Sequence, residues 1–347
     1  MARRSKLSEQ EHTELLQAIK ADFDARLARL AADPAEWVTL LETVACFGAR
    51  YTLNNQFLLM MQAEQRQMTP TFFLPYGNKD ATSGWKKHGR QVRRGETAFH
   101  VWAPIRRRPG EDEAARREAA GRPVVREESG RPAVQVVGFV LSPTFDLSQT
   151  DGEPFEVPSV QRARRVQAAG GRTPQLLDGE DPTGVYDDVV TLITDAGYAF
   201  DLAAPGSRYL GQANGVTVTG HGGGMRQVLV RADLSPAQRV KTTMHELAHI
   251  RCDHVDRVGE NRHRGRAETE AESVAYLCCR ALGLDTQTYS DAYVLGWAGG
   301  DLDLVGQCAQ TVLRVARTIL GDLTPAGEPA DRNVTGDPAA VVEGDPA

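Results

Sequence analysis

His245-Glu246-Leu247-Ala248-His249 is the stretch on which the reading of this chain turns. On an α-helix with 3.6 residues per turn, histidines at i and i+4 share one face, one turn apart, close enough to grip a single metal ion. The flanks argue for that helix. Ser235-Pro236-Ala237-Gln238 offers a serine N-cap, a proline at the first helical position and a glutamine placed to close a capping box. Val240, Met244, Leu247 and Ala248 recur at the three- and four-residue spacing of a buried stripe, which would hold the helix in a core and fix the histidine rotamers.

H-E-x-x-H is the zinc-binding pattern of metallopeptidases, in which two neutral imidazoles bind the ion and the glutamate handles the proton of a metal-bound water. A third protein ligand is then required. Arg266-Ala267-Glu268-Thr269-Glu270-Ala271-Glu272 opens a strongly helix-forming run that reaches Gly283, a residue suited to the left-handed position after a helix. Glu268 and Glu272 share a face beside the apolar stripe Ala271, Val274, Ala275 and Cys278. Glu268 is read as the ligand and Glu272 as the acid that orients a ligand histidine from behind. Glu270, or an exchange of roles with Glu272, stays open. His254 does not complete the other common pattern, H-E-x-x-H-x-x-G-x-x-H, which would put the histidine at Val255 and a glycine at Cys252. It reads as a surface residue or one that backs a ligand.

Residues from about 180 to 320 resemble the zincin-like peptidase domain shared by ImmA/IrrE-type metallopeptidases and ArdC antirestriction proteins, through His245, Glu246, His249, Glu268 and Glu272. The resemblance implies that His245, His249 and Glu268 hold Zn²⁺ and that Glu246 is the general base. The oxyanion-stabilising residue is left among His254, His263, Tyr276 and Tyr293. Gly215–Thr219 and Arg226–Arg231, flanking Gly220-His221-Gly222-Gly223-Gly224, read as a β-hairpin. Its second strand is expected over the metal cleft, where an edge could pair with an extended peptide. His221 reads as a lone loop histidine. Tyr289–Ala298 and Leu302–Leu320 look helical, the latter with Val305, Cys308, Val312, Val315 and Ile319 at helical spacing.

Nearer the N-terminus, Ser8-Glu9-Gln10-Glu11 opens a helix striped by Leu15, Ile19, Phe23, Leu27 and Leu30, and apolar helical regions cover Trp37–Cys46 and Leu53–Met61. Beyond them Gly84-Trp85-Lys86-Lys87-His88-Gly89-Arg90-Gln91-Val92-Arg93-Arg94-Gly95 sets five cations and a tryptophan in a glycine-punctuated loop, with strands expected at Ala98–Ala103 and Val134–Leu141. Cations interleaved with aromatics suit single-stranded nucleic acid, because the charges track phosphates while ring faces stack on unpaired bases. No helix-turn-helix or zinc-finger pattern is visible. At a net charge of −6 any such affinity must be local.

Residues from about 7 to 155 resemble the N-terminal single-stranded-DNA-binding domain of ArdC, through Tyr51-Thr52-Leu53-Asn54-Asn55-Gln56, Gly84-Trp85-Lys86-Lys87-His88-Gly89, Arg93-Arg94-Gly95-Glu96 and Phe145-Asp146-Leu147-Ser148-Gln149-Thr150. That implies single-strand binding. Trp85, Lys86, Lys87, Arg90, Arg93 and Arg94 are expected to touch DNA, followed by Asn55 and Tyr76. Arg106–Pro132, rich in Arg, Glu, Ala, Gly and Pro, is expected to be a flexible charged loop.

At 347 residues and 41% hydrophobic content the chain can build two ordinary cores. No apolar run approaches the roughly 18 residues of a membrane span, and Met1–Lys6 leads into a polar helix instead of a signal sequence. Of five cysteines, Cys46, Cys278, Cys279 and Cys308 sit in apolar helical contexts with no C-x-x-C pair, as in a reduced cytoplasmic protein. The expected organisation is α+β: a helical and small-sheet DNA-binding domain over 7–155, a linker over 156–178, a zincin-like domain over 179–320 and a disordered tail over 321–347. The expected activity is zinc-dependent peptide hydrolysis, on a substrate such as a DNA-associated protein. The alternative is a non-catalytic antirestriction protein that protects single-stranded DNA and carries a structural zinc site.

Overall fold

The computed structural model describes residues 9–47, 51–121, 123–158, 184–220, 225–255, 264–284, 298 and 301–325. In chain order its elements are α1 (Glu9–Ala32), α2 (Pro34–Phe47), α3 (Leu53–Gln65), β1 (Phe73–Leu74), α4 (Gly84–Lys87), β2 (Arg90–Val92), β3 (Phe99–Arg107), α5 (Glu111–Ala119), β4 (Gln135–Asp146) and β5 (Thr150–Gly152). There follow α6 (Val185–Asp195), β6 (Ala199–Ala203), β7 (Gly215–Thr219), β8 (Arg226–Arg231), α7 (Pro236–Arg251), α8 (Arg264–Ala281) and α9 (Leu302–Asp322). Helices and small sheets are mixed, an α+β fold. Two compact units emerge, Met1–Ala49 with Glu156–Ala330, and Arg50–Phe155 with Asp331–Ala347.

In the first unit β6, β8 and β7 form a sheet in that order, β8 pairing parallel with β6 and antiparallel with β7. The hairpin expected from the glycine-rich turn is therefore present, closed by Gly220 N–H donating to the Met225 carbonyl over 2.7 Å. The placement differs from expectation. β8, which leads into α7, is the central strand, and its partner β7 is at the sheet edge beside α7.

Ser235 caps α7 by accepting from Gln238 N–H. The capping box does not close, because the Gln238 amide donates onward to Thr242 Oγ1 over 3.1 Å. Val240, Met244, Leu247 and Ala248 are all buried, as the stripe requires. α8 packs along α7 and α9 along α8. Gly283, at φ +71°, ends α8 with Leu284 N–H bonded to the Cys279 carbonyl, and the apolar positions named in α8 and α9 are buried.

The N-terminal helices correct the expected boundary at residue 7, because α1 and α2 belong to the unit that carries H-E-x-x-H. Trp37 Nε1 on α2 donates to Ser273 Oγ on α8 over 2.9 Å, Arg280 donates to Glu42 over 2.7 Å, and Leu27 on α1 lies against Gly306 of α9. Leu27, Leu30, Trp37, Leu40, Leu41 and Val44 are buried; a fully buried aliphatic side chain of this kind contributes about 1.5–3 kcal/mol relative to exposure. An amphipathic stripe reports that a helix packs, but not on what. At the other end α9 continues to Asp322 and Leu323 is buried, so ordered chain extends past residue 320.

In the second unit β1, β4 and β3 form one antiparallel sheet, and β2 pairs with β5. The side of β3 turned away from β4 is closed by α3. Asn55 bonds both backbone groups of Trp102 (2.7 and 2.9 Å) and Gln62 both of His100 (2.9 Å each), so two amides take the place of a neighbouring strand. Arg106–Pro132 contains α5, set among ion pairs such as Arg107–Glu113 and Arg126–Glu118, where a flexible loop was expected.

The expected helix Tyr289–Ala298, except residue 298, the 221–224 turn with His221, residues 159–178 of the expected linker and residues 326–347 of the expected tail lie outside the described residues, as does the Cys46 side chain. Cys252, Cys278, Cys279 and Cys308 are buried free thiols. Among the described residues no helix is long and apolar enough to cross a membrane.

Candidate metal centre

His245 and His249 project from one face of α7 with their Nε2 atoms 3.0 Å apart, and Glu268 from α8 brings Oε2 to 3.6 and 3.8 Å from them. Three acceptor-capable atoms so close to one another need a proton or a cation among them. The edges of a tetrahedron with zinc–ligand bonds of about 2.0–2.1 Å measure roughly 3.3 Å, which this spacing brackets. The donor set therefore fits a zinc-sized divalent ion.

Each imidazole is backed on its outer nitrogen. Glu272 Oε2 lies 3.3 Å from His245 Nδ1, while its other oxygen is 2.7 Å from Lys241 Nζ. His249 Nδ1 is 3.0 Å from His254 Nδ1, and His254 Nε2 is 2.8 Å from Glu270 Oε2. Arg266 Nε holds the remaining Glu270 oxygen at 2.7 Å. Of the three acids weighed for the third ligand, only Glu268 faces the histidine pair; Glu272 stands behind it and Glu270 serves His254. Cys252 also lies near His254 and Glu270. Burial pushes its thiol up to about 12, so it is no ready thiolate, and both Glu270 oxygens are already engaged.

Burial works against charging His245, but hydrogen bonds to Glu268 and Glu272 outweigh it and lift its pKa to about 9. Burial, then the neighbouring His245, holds His249 down to about 3. Burial would raise Glu272, yet its bonds to His245 and Lys241 bring it to about 2.

Glu246 sits beside this cluster, 5% exposed, its pKa raised by burial against the opposing pull of His245 and Thr217. Thr217 Oγ1 on β7 donates to its Oε2 over 2.7 Å. A methyl group on Gly215 would come within 2.7 Å of Glu246 Oε1, so the bare backbone there makes room for the carboxylate. A cavity of about 670 Å³ opens over these groups, walled by β7, His245, His249, His254 and Glu268. Neither Thr217 nor Gly215 carried a functional signal in the sequence. Of the oxyanion candidates, His254 is turned to His249 and Glu270, Tyr276 donates to Glu42, and His263 and Tyr293 lie outside the described residues.

The residues expected to touch DNA separate into two groups. Trp85 is fully buried, its Nε1 donating to the Phe145 carbonyl, and cannot stack on a base. Asn55 is equally buried and occupied with Trp102. Arg90 ties β2 to Thr150, and Arg93 pairs with Glu96 and Asp151. Asp146 accepts from Thr71, Phe72 and Ser148, and Gln149 donates to Glu96, so the Phe145–Thr150 block is hydrogen-bonded to the Arg93–Glu96 block and, through Trp85, to the Gly84–Gly89 block. Tyr76, Lys87 and Arg94 are exposed, and the half-buried Lys86 holds its ammonium 4.6 Å from the Tyr76 ring centre.

No protein-family model matches the chain. An uncharacterized protein of Bacillus anthracis is 23% identical over 182 residues, which are 52% of this chain and 29% of that protein, so the match spans less than a third of the relative's length. Among solved structures the chain is similar to the metal-free antirestriction ArdC protein of plasmid R388, at 18% identity over 79% of this chain and 85% of that one, with a TM-score of 0.41. The Mn(II)-bound structure of the same protein gives 18% identity over 80% and 86%, with a TM-score of 0.39.

Proposed function

We propose that this chain is a zinc metallopeptidase joined to a single-stranded-DNA-binding unit, of the antirestriction, mobile-element type, acting on a protein that works at exposed DNA. The convergence of His245, His249 and Glu268 beside the buried Glu246 carries this reading. Two imidazoles and one carboxylate suit Zn²⁺ and leave a coordination position open. When bound, zinc supplies Lewis acidity toward a carbonyl oxygen and lowers the pKa of a water to about 7. Glu246, with one oxygen held by Thr217 and the other against Gly215, takes the proton of the attacking water and returns it to the leaving amine. β7, an edge strand at the cavity wall, offers backbone groups to an extended peptide. Tyr76, Lys86, Lys87 and Arg94 supply the aromatic face and cations that unpaired DNA requires.

The test is Glu246→Gln in the full chain. It should keep one equivalent of zinc and lose cleavage when the proteomes of cells carrying either form are compared; equal cleavage by both forms would overturn the enzymatic reading. The exposed cluster around Tyr76 and Lys86 keeps a second reading in view, a DNA-protecting protein whose metal is structural. In that case Glu246→Gln leaves nuclease protection of single strands intact and no cleavage product distinguishes the two forms.

A further inference from the structure

Building on the metal-site reading above, we propose that Arg266, Glu270 and His254 form a relay that fixes the tautomer of His249, keeping its Nε2 lone pair turned toward His245 and Glu268. The argument is one of donors and acceptors. A carboxylate only accepts, and Glu270 already accepts from Arg266 Nε at Oε1, so its Oε2 must accept from His254 Nε2–H. A neutral imidazole protonated at Nε2 has only a lone pair at Nδ1. With His254 in that neutral form its lone pair faces His249 Nδ1 at 3.0 Å, so the shared hydrogen belongs to His249, whose Nε2 is thereby left as the lone-pair nitrogen.

The backbone is shaped for this contact. α7 ends at Arg251, and Asp253 takes φ +60°, a left-handed conformation that a non-glycine residue adopts at some cost. The turn reverses the chain so that His254 N–H bonds the His249 carbonyl over 3.0 Å and the two rings lie 5.1 Å apart, edge to face. Glu270 is 4% exposed, so its negative charge would be costly there without Arg266 and His254. His254 is thus a positioning residue: it acts on the metal site through His249.

Nitrogen-15 correlation spectra of the full chain labelled at histidine read the tautomer directly, first metal-free and then with Zn²⁺. The wild type should show His249 as the Nδ1–H form in both, and His249 protonated at Nε2 in the metal-free wild type would overturn the proposal whatever any variant does. Zinc affinity, measured by competition with a chromophoric chelator, should fall about 10- to 100-fold in His254→Ala. His254→Asn, whose amide oxygen can stand where Nδ1 stood, should recover most of that loss. Glu270→Gln should behave like His254→Ala, because Arg266 claims the amide oxygen and leaves the NH₂ facing His254, which inverts the relay. Unchanged zinc affinity in folded His254→Ala and Glu270→Gln, judged by thermal melts, would also overturn it. A chain that shows the relay and binds zinc but cleaves nothing would sink the peptidase reading alone.

Discussion

Thr217 Oγ1 lies 2.7 Å from Glu246 Oε2, so a hydroxyl on the edge strand holds the carboxylate of the helix beneath it. Hydrogen bonds to buried charged groups contribute about 1.5–3 kcal/mol. On the proposed zinc-peptidase reading, Thr217→Val, nearly isosteric but without the donor, should lower kcat by roughly 10- to 100-fold with little change in zinc content, while Thr217→Ser should retain most of the activity. Steady-state kinetics on a cleavable peptide beside metal analysis checks both.

Gly215 is the other contact of that carboxylate. Its added Cβ would meet Glu246 Oε1 and Thr242 Cγ2 at 2.7 Å each. Gly215→Ala should therefore displace Glu246 and depress kcat, whereas Gly220→Ala, whose nearest neighbours lie at 3.3 Å, should do far less. The two variants compared in one assay decide whether the effect comes from the carboxylate or from the strand.

Trp37 ties α2 to α8, the helix that carries Glu268, through Ser273. Trp37→Ala should cost about 3–5 kcal/mol, from the cavity it leaves and the lost hydrogen bond to Ser273. Urea unfolding followed by loss of bound zinc should show an earlier midpoint. If the first helices belonged only to the unit of residues 50–155, metal release would not shift.

Glu42 receives bonds from Arg280 and Tyr276, and the Arg280 contact holds its pKa below the ordinary 4.5 in spite of burial. A depressed folded-state value contributes stability that is present above 4.5 and lost as the pH falls through the folded value. Melting temperatures across the acid range should fall less steeply in Glu42→Gln than in the wild type. A parallel pair of curves would remove Glu42 as a source of acid sensitivity.

On the proposed single-strand-binding reading, Lys86→Glu with Lys87→Glu and Arg94→Glu should weaken binding and flatten its salt dependence by about 0.7 in slope for each phosphate no longer neutralised. Arg90→Glu and Trp85→Ala should instead destabilise the unit, the latter by about 3–5 kcal/mol, because these side chains are spent inside it. Fluorescence anisotropy titrations at several salt concentrations, paired with thermal melts, separate weakened binding from unfolding.

Local pattern sufficed for α7, α8 and α9, their buried stripes, the Ser235 cap, the Gly283 stop and the hairpin ahead of α7, because each is set by spacing within a few residues of chain. It also paired His245 with His249 and Glu268 with Glu272, since each pair is a one-turn repeat whose shared face follows from helix geometry; that Glu268 joins the two histidines was what the family resemblance implied, with Glu270 and Glu272 still open on the residues alone. Only the packed molecule decided that Glu270 turns to His254, that Thr217 holds Glu246, that Trp85 and Asn55 face a core, and that α1 and α2 join the unit with the metal cluster. Those are meetings between residues from 16 to 236 positions apart, for Glu270 with His254 and Trp37 with Ser273 respectively. Periodicity says which side of an element is apolar or charged, but the partner of that side depends on how distant elements pack and on which buried polar groups must find one another.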